Sequence, residues 1–132
     1  MKSLLLMRHG KSDWSADYDT DHDRPLNDRG VRSARVIGKA LSKESQSPDL
    51  VVTSSAVRAR TTAQLAAEAG HWVCDLIIEP RLYGSGADTV LQVAAETGPV
   101  DRLMLVGHQP TWSILVSVLT GQQVEMKTAT VA

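Results

Sequence analysis

Two histidines and two arginines stand in this sequence where they could act on a single anion. Arg8-His9-Gly10 follows directly on the apolar run 3–7, Arg58 lies five residues after the run 50–53, and Gly107-His108 follows the run 103–106. Imidazole is a competent nucleophile near neutral pH, because its reference pKa is about 6.5 and its neutral form carries a free lone pair. A guanidinium fork matches pairs of phosphate oxygens better than an ammonium does, and nearby guanidiniums favour the neutral imidazole. The chemistry that suits these groups is phosphoryl transfer to a histidine nitrogen, which needs an aligned nucleophile and charge stabilisation and little else. Taken alone, either histidine reads as a hydrogen-bonded core or loop residue. Paired with two arginines, after three strands, they read as a site.

Those positions share one place only if the runs are parallel strands of one sheet. Residues 3–7, 50–53, 76–78 and 103–106 are nearly continuous apolar runs, the pattern of strands buried on both faces. Helical stretches alternate with them. In the first, Val31, Ala34, Ile37 and Leu41 share one face, with Asn27 or Asp28 as the N-cap. The second, 56–69, is alanine-rich and is expected to stop before Gly70; the third, 87–96, is closed by Gly98-Pro99; the fourth, 111–120, stops at Gly121. Strand–helix alternation predicts an α/β domain with a largely parallel sheet. Right-handed crossovers then bring the carboxyl ends of the strands to one edge, where ligands bind. Arg58 falls in the first turn of a helix that Ser54 or Ser55 is expected to cap, beside free backbone N–H groups and the positive end of the dipole. Arg60, about 200° further round the helix, cannot face the same pocket and reads as exposed or packing.

Four segments in order carry a resemblance: Met7-Arg8-His9-Gly10-Lys11-Ser12-Asp13-Trp14, Asp23-Arg24-Pro25-Leu26-Asn27-Asp28-Arg29-Gly30, Ser54-Ser55-Ala56-Val57-Arg58-Ala59-Arg60-Thr61-Thr62 and Val106-Gly107-His108-Gln109-Pro110-Thr111. They resemble the histidine phosphatase superfamily, and within it the small SixA-type phosphohistidine phosphatases. The resemblance implies a three-layer α/β/α sandwich around a mostly parallel sheet, as in the phosphoglycerate mutases, with no cofactor and no metal. It implies His9 as the phospho-accepting nucleophile, His108 as the second histidine on the transferring group, and Arg8 and Arg58 as phosphate ligands. The implied substrate is phosphohistidine on a protein; the alternative is a small phosphorylated metabolite. Larger members protonate an oxygen leaving group with a carboxylic acid, and no glutamate sits in a matching motif here. Glu79, Asp13 and Asp23 are candidate acids, each with a solvated-carboxylate reading beside it. A P–N bond needs such an acid less, since an imidazole protonated on its other nitrogen leaves as a neutral molecule.

The remaining sequence narrows the alternatives. At 132 residues the chain suits one compact core, so one domain over 1–132 is expected. Residues 128–132 look like the beginning of another strand, and the resembled family continues with a further one; an exposed sheet edge is expected there. A net charge of −1 without a basic block argues against nucleic acid and anionic membrane as partners. Cys74 is the only cysteine, which excludes an intrachain disulfide and a multi-cysteine zinc site and makes a cytoplasmic setting the expectation. The opening MKSLLLMRHG is too short and too interrupted for a signal peptide or a span. Neither G-x-S-x-G nor G-x-x-x-x-G-K-[ST] occurs, against serine-hydrolase and P-loop readings. The polar segment 13–23 is read as a hydrated surface loop without the calcium-loop pattern, with His22 and His71 solvated. A noncatalytic phosphate-binding module is disfavoured because both histidines and both arginines are present.

Overall fold

The computed structural model describes residues 1–132. Its strands are β1 (Ser3–Arg8), β2 (Leu50–Thr53), β3 (Asp75–Ile78) and β4 (Arg102–Gly107), and its helices α1 (Asp28–Lys43), α2 (Val57–Gly70), α3 (Ala87–Glu96) and α4 (Thr111–Thr120). All strand pairs are parallel, in the order β1-β4-β2-β3. Because side chains alternate across a strand, the sheet feeds two cores. Met7, Val51, Met104 and Val106 pack with Ala59, Ala63 and Ala66 of α2. Leu6, Leu50, Val52, Leu103 and Leu105 pack on the other face with Val90 and Val93 of α3 and Trp112 and Leu115 of α4. The result is the expected α/β/α sandwich. No helix is long and apolar enough to cross a membrane.

The strand order also locates a crevice. The chain moves outward from β1 to β2 to β3 with α1 and α2 on one face, then returns to insert β4 between β1 and β2. A right-handed crossover in the reverse direction places its helix on the opposite face. The chain leaving β1 therefore turns to one side of the sheet and the chain leaving β4 to the other, which opens a cleft beyond their carboxyl ends.

Three local readings are corrected. The strand β3 is an edge strand, and Ile77 and Ile78 are half exposed rather than buried on both faces. At the other edge, the terminal segment meets β1 in antiparallel fashion: Leu6 N–H donates to Ala132 O, Arg8 N–H to Thr130 O and Ala132 N–H to Leu6 O, at 2.8–3.0 Å. That edge is paired, not open. Gly70 continues the second helix instead of ending it, and His71 takes the left-handed position, φ 53°. The reason is packing, since a Cβ at Gly70 would lie 2.4 Å from Gly38 O.

The two helices of that face touch through these glycines, and a Cβ at Gly38 would come within 2.1 Å of the Ala66 carbonyl oxygen. Forcing a methyl into such a contact costs about 1–3 kcal/mol, more than the roughly 1 kcal/mol of helix propensity that alanine gains over glycine. Gly38→Ala is expected to lower the urea unfolding midpoint with an unchanged m-value.

Candidate active site

The register of the sheet brings the functional side chains together. Arg8 pairs with Gly107 and Thr53 with Val106, and the pairing runs on beyond the strands, with His9 N–H donating to Gly107 O at 3.0 Å and Ser54 N–H to Val106 O at 2.9 Å. His9 and His108 thus emerge side by side, their ring centroids 5.2 Å apart. Gly10 is required by close approach: a Cβ there would lie 2.8 Å from Gly30 O, at the start of α1. Its N–H donates to Thr62 Oγ1 at 3.0 Å, and Thr62 donates onward to the Arg58 carbonyl at 2.7 Å. The loop that carries His9 is thereby pinned to the helix that carries Arg58.

Arg8, His9, Arg58 and His108 all line one cavity of about 340 Å³. Arg60 does not line it, in line with its place round the helix. Lys11, Ser12, Trp14 and Arg24 form further parts of the wall, and no aspartate or glutamate does. A wider hollow of about 480 Å³ along the outer face of α4 contains no histidine or arginine, so it offers none of this chemistry.

The tautomer of His9 follows from its partner. Nδ1 lies 2.6 Å from the Gly10 carbonyl oxygen, which only accepts. Nδ1 therefore carries the proton, and the lone pair is on Nε2. The ring is 7% exposed; burial above all, and then Arg58, Arg8 and Arg24, push its pKa down to about 4, against the opposing pull of the Gly10 hydrogen bond. His108, placed 2.8 Å from Ser54 Oγ through Nε2, is pushed down to about 3, mainly by burial and also by His9 and Arg58. Both rings are neutral at pH 7.

Sequence reasoning quoted Arg24 but gave it no place in the site. It is 5% exposed, and an arginine is rarely that buried without a partner. Residues 11–13 pair antiparallel with 25–27, through Asn27 N–H to Lys11 O, Asp13 N–H to Pro25 O and the Ser12–Leu26 bridge. This brings Arg24 Nε to Ser12 Oγ at 3.0 Å. Asp21 and Tyr83 were missed as well, and Ser54 was read as a helix cap without its contact to His108. Asp21 sits in a single 3-10 turn, Asp21–Asp23, and accepts from Tyr83 OH at 2.7 Å, from Arg24, and from Arg58 Nη2 at 3.0 Å; its backbone carbonyl takes Arg58 Nη1 at 2.7 Å. These donors, Tyr83 first, hold its carboxyl well below the usual range. The acidic segment is therefore docked on the site. His22, expected in solvent, meets Ser55 Oγ at 2.9 Å and the edge of Tyr83, whereas His71 is exposed as expected. The helix cap also differs: Ala56 is the N-cap, Ser54 Oγ accepts from Ala56 N–H and contacts His108, and Ser55 turns to His22. The candidate acids stay outside the cavity. Glu79 is paired with Arg81, Asp13 accepts from Ser15, and Asp23 accepts from Thr20.

Comparison with known proteins agrees with this arrangement. The histidine phosphatase superfamily, branch 1, matches residues 4–85. The chain belongs to the histidine phosphatase superfamily. An uncharacterized protein of Mycobacterium tuberculosis is 40% identical over 115 residues, 86% of this chain and 69% of its own length. A candidate phosphohistidine phosphatase SixA from Agrobacterium tumefaciens superposes with a TM-score of 0.87 at 29% identity, over 98% of this chain and 87% of the other. One from Nakamurella multipartitia gives a TM-score of 0.72 at 35% identity, over 85% and 62%. This histidine phosphatase is thus a superfamily hydrolase with a SixA-like fold.

The two depressed histidines link the site to stability. Unfolded imidazoles take a proton near pH 6.5, while the folded rings resist it until about 4 and about 3. Between those values the unfolded chain binds more protons, so stability falls as pH falls below about 6.5. Each ring is expected to contribute a loss on the order of 2 kcal/mol between pH 7 and pH 5. Urea unfolding across that range is the measurement, and His9→Gln/His108→Gln should flatten the slope.

Proposed function

We propose that this enzyme hydrolyses the P–N bond of phosphohistidine borne on a protein, through a phosphohistidine intermediate on His9. The observation that carries the reading is the cavity wall, which holds a neutral imidazole and three arginines and no carboxyl group. An ester oxygen expelled there meets no carboxylic acid to protonate it. An imidazole already protonated on its far nitrogen needs none.

In the first step the His9 Nε2 lone pair forms the new N–P bond. The substrate P–N bond breaks, and the leaving ring takes that electron pair and departs as neutral imidazole. The phosphorylated His9 ring is then cationic, with its Nδ1 proton still held by the Gly10 carbonyl. In the second step water attacks phosphorus, His9 leaves as neutral imidazole, and both water protons remain with the released phosphate as H₂PO₄⁻. Both steps expel an imidazole, so one acid-free wall serves both.

The guanidiniums of Arg8, Arg58 and Arg24 bind the phosphoryl oxygens and stabilise the charge of in-line transfer between nitrogens. Arg8 Nε and Arg58 Nε are buried without a protein partner, as is His108 Nδ1. Ser54 Oγ already accepts from Ala56 N–H, so its own proton is free to go to His108 Nε2. In that tautomer the ring proton of His108 is on Nδ1, where it donates to a phosphoryl oxygen. A shallow site open to a protein surface suits the small chain, and the SixA-like fold supports the same reading.

Phosphohistidine protein and p-nitrophenyl phosphate, offered in parallel with an alkaline quench, provide the test. The expected phosphoenzyme survives base, is lost on warming in acid, and does not form in His9→Ala, whose kcat falls by at least about 10³-fold. Turnover of the aryl ester alone would overturn the P–N assignment in favour of a metabolite phosphomonoesterase.

A further inference from the structure

In-line transfer determines where the leaving group must sit. His9 lies buried at the cavity floor, so phosphorus attacked from below expels its leaving group in the opposite direction, through the mouth. Trp14 lines the same cavity yet is 72% exposed, which puts it at the rim. It is the only Trp or Tyr on that wall.

The indole is held in place. The Arg24 guanidinium carbon lies 3.6 Å from its ring centroid, and Arg24 is itself buried and fixed by Ser12 and Asp21. One face of the ring thus rests on an immobile cation. Its large exposed area leaves the rest of the indole to solvent, although an indole in water forgoes the burial its area offers. A rigid aromatic surface at the mouth of a charged pocket is the arrangement by which planar ligands are gripped, with two side-chain dihedrals to order and a wide contact.

We propose that Trp14 is a stacking platform for the leaving ring of the substrate, making this enzyme select a planar aromatic leaving group over a non-aromatic one with the same scissile bond. In the reading above, which this inference rests on, that ring is the imidazole of phosphohistidine. Arg24 then serves both sides of the reaction, touching the phosphoryl oxygens and supporting the platform. An aromatic pair adds about 0.5–1.5 kcal/mol, equivalent to about 2- to 12-fold in rate constant.

The readout is the ratio of kcat/KM for phosphohistidine to kcat/KM for phosphoramidate, which has the P–N bond and no ring. Trp14→Ala is expected to lower that ratio about fivefold, and Trp14→Phe to retain most of it. Equal losses on both substrates would overturn the platform and leave Trp14 as a support for Arg24; so would a phenylalanine variant no better than the alanine one. The same comparison with p-nitrophenyl phosphate over glycerol phosphate separates this inference from its parent. A ring-dependent loss there, in an enzyme that cleaves no P–N bond, keeps the platform and overturns only the phosphohistidine assignment. No ring-dependent loss with either pair overturns the platform while P–N turnover stands.

Discussion

Parallel pairing of β1 with β4 is the constraint on which the site depends. The hydrogen bonds that match Arg8 to Gly107 continue one residue further, through His9 N–H to Gly107 O, and this single extension sets two imidazoles beside each other. A one-residue slip would send every side chain of β1 to the opposite face. Met7 would leave its core and Leu6 would enter it. The apolar alternation that makes the sheet stable therefore also fixes the distance between the two rings, so the core and the chemistry share one register.

A second layer of constraint is electrostatic. Three arginines converge on a buried ring, and their field together with burial keeps that ring neutral. Such a concentration of positive charge needs compensation in the folded protein. Part of it comes from Asp21, whose carboxylate receives Arg24, Arg58 and Tyr83. The acidic segment is thus tied to the site by the charge it balances. The glycines act at the level of the backbone: Gly10 lets the strand end run against α1, and Gly38 and Gly70 let α1 and α2 touch.

Much of this was legible in one dimension. The four apolar runs are the four strands to within a residue or two, and Asn27 does cap α1, accepting from Gly30 N–H at 2.8 Å. The convergence of residues 8, 9, 58 and 108 followed from strand ends alone, because a parallel sheet has one carboxyl edge. What escaped was set by partners remote in sequence. Ser54 and Ser55 satisfy the local rule for a cap, yet each turns to a histidine, at 108 and at 22. Gly70 satisfies the rule for a helix stop, yet is taken up by contact with Gly38. The loop 13–23 has no apolar period, and lack of period says nothing about an ion pair made across the molecule.

The amino-acid order by itself determined the alternation of strands and helices, the class of fold and the identity of the four convergent groups, since periodicity and turn chemistry act over short spans. Only the tertiary structure decided that Arg24 joins them, that Asp21 clasps two arginines and that Trp14 stands at the rim. The physical reason is that a charged or aromatic side chain takes its role from whichever groups desolvate and face it, and these come from distant parts of the chain. Local spacing carries no record of them until the sheet has brought them within reach.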